Sequence, residues 1–112
     1  MVQNRQTSRH LLFDEQLVLC GRRSGPDQKT ELVRSSQHPQ ALAFSGIHII
    51  SPRLLPLITE EGIFSIITTY LRLAAQGEKI AAFRADDAYW RDLGNPENLR
   101  QAAEDLRRHP AL

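Results

Sequence analysis

The sequence predicts an α/β domain, a mixed sheet with about three helices, and three observations carry that prediction. The run Ala41-Leu42-Ala43-Phe44-Ser45-Gly46-Ile47-His48-Ile49-Ile50 is almost unbroken in its apolar character, as in a parallel-sheet strand buried on both faces. Two later stretches, residues 64–76 and 95–108, repeat apolar residues at helical spacing. Between them, Tyr89-Trp90-Arg91-Asp92-Leu93-Gly94-Asn95-Pro96-Glu97 reads as a strand that turns directly into a helix. A chain of 112 residues supports one small domain with a single core, and no repeat or boundary divides residues 1–112.

Composition narrows the function classes. Hydrophobic residues make up 41%, charged residues 24%, and the formal net charge is +1, as in an ordinary globular protein. That balance gives no reason to expect nucleic acid or an anionic membrane as a partner. No apolar run is long enough to span a bilayer. Residues 1–9 are polar and lack the apolar segment of a secretory signal, so the expected compartment is the cytoplasm. Cys20 is the only cysteine, which excludes an intrachain disulfide and a cysteine-built zinc site. It reads as a small apolar strand residue rather than a reactive thiol.

In chain order, residues 1–8 are expected to be frayed at their start. Residues 10–13 and 17–20 are short apolar runs separated by Asp14-Glu15-Gln16, the pattern of a β-hairpin. Residues 21–40 are rich in Ser, Gly, Pro, Gln and charge. They are expected to form a long loop with one edge strand near Thr30-Glu31-Leu32-Val33, and loops of that length are usually functional or disordered. In the strand expected at 41–50, Gly46 signals either a bulge and close backbone approach by a ligand, or a packing glycine against a helix. His48 has no second ligand at metal spacing and reads as a satisfied histidine.

Ser51 and Pro52 then open a short helix that Pro56 limits to one or two turns. A second helix spans about 64–76, with Ile63, Ile66, Ile67, Tyr70, Leu71 and Ala74 on one apolar face and Gly77 just past its end. Its β-branched residues mean that packing rather than propensity must hold it. Residues 79–84 and 88–92 are expected strands. The last helix, 95–108, has Asn95 as its cap, Pro96 at its first position, and Leu99, Ala102, Ala103 and Leu106 as its apolar stripe.

Few residues are placed to do chemistry. There is no Gly-rich phosphate loop, CxxC pair or Ser/His/Asp set in recognisable context. The acidic cluster Asp86, Asp87 and Asp92 remains. Asp86 and Asp87 read as a solvated turn. Asp92 sits where a strand should end, and spacing alone leaves open whether it caps the helix entry or binds metal.

The pattern Trp90-x-Asp92-x-Gly94-x-Pro96-Glu97 resembles the C-terminal signature of the sugar-1-phosphate nucleotidyltransferases. The Leu12-Phe13-Asp14 hairpin and Ala43-Phe44-Ser45-Gly46-Ile47-His48 match the same family in the same order. The helix carrying Phe64 to Leu71, with Gly77-Glu78-Lys79-Ile80, is similar to its mannose-1-phosphate guanylyltransferase-like branch. The resemblance implies a partial nucleotidyltransferase fold, Rossmann-like. The implied partners are a nucleoside triphosphate and a sugar 1-phosphate, which attacks the α-phosphorus and releases pyrophosphate. Mg2+ would neutralise the phosphates. By the same resemblance Asp92 is the metal-holding aspartate, while Ser45 and Gly46 line the sugar side.

The family's Gly-rich loop and its first metal-binding aspartate are absent, and Arg22-Arg23-Ser24-Gly25-Pro26 stands where a Glu-Lys-Pro sugar motif often lies. The chain therefore looks like the C-terminal portion of such an enzyme. It carries no complete catalytic set, is expected to be inactive alone, and holds Mg2+ weakly if at all. The alternative is a non-catalytic interaction protein derived from that fold. Open strand edges and the apolar face of the 64–76 helix lead to the expectation of a homo-oligomer.

Overall fold

The computed structural model describes residues 1–111 and is mixed α/β. Its strands are β1 (Val2–Gln3), β2 (Arg9–Phe13), β3 (Leu19–Ser24), β4 (Lys29–Leu32) and β5 (Gln40–Phe44). A 3₁₀ helix (Pro52–Leu57) and two α-helices, α1 (Ile66–Ala75) and α2 (Pro96–Arg108), follow. The strands form one open sheet in the order β1-β5-β2-β3-β4, and every pairing between them is antiparallel.

The expected hairpin is β2–β3, closed by a turn in which Asp14 Oδ1 accepts from the Gln16 and Val18 N–H groups. Leu17 takes a positive φ of 60° in that turn. Residues 21–40 are not a long loop. They supply the second half of β3, a turn through Gly25 at φ 84°, and the edge strand β4. The turn signals were legible, but the alternation of Arg22-Arg23-Ser24 against Thr30-Glu31 hides the pairing, because neither side of that ribbon is apolar. β3 and β4 approach closely at Gly21, where an added Cβ would stand 2.2 Å from the Glu31 carbonyl oxygen.

The 41–50 run is corrected in length and in kind. Only Gln40–Phe44 is strand, paired antiparallel to β2 and β1. Gly46 turns the chain away at φ 74°, and nothing lies within 4 Å of where its Cβ would be. It is therefore not a glycine packed against a helix but a left-handed turn with open space beside its backbone. Residues 79–84 and 88–92 are likewise not strands. Residues 80–85 make only two isolated bridges, Ala81 to Val18 and Arg84 to Val2. They still matter: the Val2 N–H donates to Phe83 O and the Ala85 N–H to Val2 O, which covers the free side of β1. The start of the chain is thus held in the sheet rather than frayed.

The helices fall close to their expected bounds. Ser51 Oγ caps the 3₁₀ helix, Ser65 Oγ caps α1 and Asn95 Oδ1 caps α2. Gly77 has the positive φ of a helix stop, 92°. α1 lays Tyr70, Leu71 and Ala74 on the sheet against Val2, Leu11, Phe13, Leu19 and Leu42, with Ile66 and Ile67 packed around them. The helix face proposed from sequence as an oligomer contact is therefore spent on the core from Ile66 to Ala74, whereas Ile63 lies before the helix and is fully exposed. α2 differs from expectation: of its stripe only Ala102 is buried, while Leu99 and Leu106 stay exposed. Cys20 is fully buried in β3, and burial pushes its thiol above its ordinary value. No helix among the described residues is long and apolar enough to cross a membrane.

Candidate functional site

The site assembles where β5 ends and residues 89–95 pass beside it. Phe44 closes the strand, Ser45 is buried, and Gly46 bends the backbone outward. The Trp90 indole N–H donates to the Ser45 carbonyl oxygen at 3.0 Å, bridging two segments 45 residues apart. Over the indole ring lies the Arg5 guanidinium, 3.7 Å from the ring centroid, and Arg5 Nη2 donates to Phe44 O at 2.8 Å. Burial lowers the Arg5 pKa, with the Asp92 charge acting in the opposite sense. Trp90 thus joins the end of β5 to the segment that leads into α2.

Asp92 is exposed beyond that bridge. Its Oδ1 accepts from the Gly94 N–H at 2.9 Å, forming the tight turn that delivers the chain to the Asn95 cap. The carboxylate is therefore half engaged by its own loop and half open to solvent. Ser45, Gly46 and Asp92 share the neighbourhood of Trp90, but only the Ser45 carbonyl is tied to it directly. The Ser45 hydroxyl is buried without a hydrogen-bond partner in the structure.

No significant match to a family model, a curated protein or a solved structure was found for this chain.

The other acidic residues take structural parts. Asp86 is not merely solvated: it accepts from the Asn4 N–H and from Arg84, both at 2.7 Å. The Arg84 bond first, then the Asn4 bond, holds its carboxyl below the ordinary range. Gln3 Nε2 donates to both Ala85 O and Ala88 O at 2.7 Å, which fixes this turn to β1. Asp105 of α2 gathers Tyr89, Arg91 and Gln101, and this cluster in place of apolar packing anchors the helix. Its carboxyl is lowered, chiefly by the Gln101 bond.

Among the described residues no group of three or more His, Cys, Asp or Glu side chains could hold a metal ion. Asp92 offers one carboxylate already bonded to Gly94, so the residues present do not fit a self-sufficient magnesium site. His48 is satisfied by a hydrogen bond to the Tyr70 hydroxyl and lies edge-on to Phe44.

Two features escaped the sequence reading. Arg5 lies in a polar stretch with no periodicity, and only its spacing from Gln3 along the end of β1 could have placed it. The second is an apolar cavity of about 500 Å³ between the sheet, the 3₁₀ helix and residues 47–50 and 79–83. Phe13, Phe44, Tyr70, Leu54 and Ile80 line it, residues dispersed over the chain that only folding collects.

Proposed function

We propose that this chain supplies the sugar-side wall and one metal-side carboxylate of a sugar-1-phosphate nucleotidyltransferase, with the Rossmann-like core and the triphosphate site furnished elsewhere. The observation that supports this is the Trp90–Ser45 hydrogen bond, because it couples the two segments that carry the resemblance. In this reading the turn at Ser45 and Gly46 presents open backbone to a hexose phosphate, since nothing fills the space at Gly46. Asp92 stands one turn beyond Trp90, where it can add a carboxylate to donors brought by a triphosphate. Positioning belongs to Trp90 and Arg5, which hold the β5 end and the Asp92 loop in one frame.

The chain alone does not complete the reaction. Phosphoryl-type transfer needs preorganised charge around the phosphates, and here one exposed carboxylate stands without a phosphate loop. Pure protein with GTP and a hexose 1-phosphate should release no pyrophosphate. The sugar side remains testable through Trp90, the only tryptophan. A hexose 1-phosphate should change its emission saturably, with a Kd in the roughly millimolar range given the missing contacts. A flat titration, or equal response to free phosphate, would sink the assignment. The second reading, a non-catalytic interaction protein, is favoured by the exposed apolar residues 47–50 and would be supported if the titration stays flat while the chain associates.

A further inference from the structure

Residues 47–50, Ile-His-Ile-Ile, leave the sheet as a segment that pairs with no strand. The Met1 amino group donates to Ile47 O, but no backbone group of His48, Ile49 or Ile50 is hydrogen-bonded among the described residues. Ile49 is 101% exposed, Ile47 56% and Ile50 47%, and the neighbouring Phe83 is 71% exposed. β-branched apolar residues with unpaired amides are the makings of a strand edge, and such edges pair. The other free edge, β4, is defended instead by charge: Lys29 and Glu31 lie along it, and Arg22 bridges to Glu31 at 2.7 Å.

The same four residues line the mouth of the apolar cavity. The surface therefore carries a projecting apolar side chain, Ile49, directly beside an apolar recess. A knob and a socket on one patch satisfy the requirement of a two-fold interface, in which each copy offers the same surface to the other. We infer that residues 47–50 pair with the same residues of a second copy of this chain, antiparallel about a two-fold axis, each Ile49 seated at the cavity mouth of its partner.

Area supports that occupant. The exposed fractions of Ile47, Ile49, Ile50 and Phe83 amount to nearly three whole residues, roughly 400–550 Å² at the size of large side chains. Two copies would hide roughly 800–1,100 Å² before any contribution from the backbone or the cavity walls, near the threshold of a specific interface. Arg53 and Glu78 in the cavity lining lie 3.9 Å from one another and offset each other, leaving Lys79 and the Met1 amino group as the charges that two identical rims would oppose. The inference goes beyond the proposed reaction and does not depend on it.

The test is light scattering on the 112-residue chain across about 1–200 μM. Expected is a monomer–dimer equilibrium that Ile49→Lys weakens by roughly tenfold or more, with far-UV circular dichroism and melting of the dilute protein unchanged because Ile49 makes no internal packing. Ile63→Lys is the control: Ile63 is equally exposed but lies outside the cavity lining, and it should leave association unaltered. Amide exchange at residues 48–50 should slow as concentration rises. A monomer throughout would overturn the inference, as would equal sensitivity to both substitutions or exchange that ignores concentration. A monomer that binds an apolar dye would assign the cavity to a small ligand instead. A monomer that binds an added strand-forming polypeptide would assign the edge to a different chain.

Discussion

Replacing Arg5 by Met and Trp90 by Leu, singly and together, tests whether the Arg5–Trp90 stack is the joint of the candidate site. The guanidinium lies 3.7 Å from the indole centroid and is held there by its bond to Phe44 O. Arg5 is half-buried, so the contact falls within the span of cation–π energies between exposed and desolvated sites, about 1–2 kcal/mol at most. Arg5→Met also removes a charged hydrogen bond, costing about 1.5–3 kcal/mol, and Trp90→Leu removes the bond to Ser45 O, about 0.5–1.5 kcal/mol plus lost ring contact. The double variant should therefore be less destabilised than the sum of the singles by about 1–2 kcal/mol. Urea unfolding followed by circular dichroism at pH 7 gives all four free energies. Additivity within about 0.5 kcal/mol would refute the coupling and, with it, the claim that Arg5 positions Trp90. Arg5→Met should also shift the Trp90 emission maximum, an effect a purely remote residue would not produce.

Asp92→Asn should change stability by no more than about 0.5 kcal/mol, since the residue is exposed and an amide oxygen can still accept from Gly94; a loss above about 2 kcal/mol in thermal melting would make Asp92 a structural residue. Gly21→Ala should be among the worst single changes, at least about 2 kcal/mol by denaturant, because its methyl group would press on the Glu31 carbonyl and part β3 from β4. Arg72 donates to Glu60 at 2.6 Å and 3.0 Å and holds its carboxyl down at about 2 against an ordinary 4.5. A lowered folded pKa contributes stability above pH 4.5 that is lost as pH falls toward about 2, so Glu60→Gln should flatten the urea midpoint across that window and an unchanged acid slope would contradict it.

Local rules fixed the parts of this protein whose signal lies within a few residues. Ser51, Ser65 and Asn95 cap helices where their side chains reach the next free N–H, Gly77 ends α1, and Asp14 closes the β2–β3 turn. The face of α1 was legible because periodicity records which side must leave water, and Tyr70, Leu71 and Ala74 are indeed inside. Pairing was not legible. The 41–50 run has one apolar character throughout, yet its first half pairs with β2 and β1 while its second half joins no ladder, since a ladder depends on what lies alongside and not on the strand's own residues. Residues 80–85 show the reverse, with modest strand character made useful by the backbone side of Val2 that β5 leaves unpaired. The candidate site divides the same way. Asp92, Ser45 and Gly46 could be named from motif, but Arg5 over Trp90, the indole bond to Ser45 and the cavity beside residues 47–50 exist only because the fold brings the chain's start, middle and end together. A contact across 45 or 85 residues leaves no periodic trace in sequence, because nothing local is required to change for it to form.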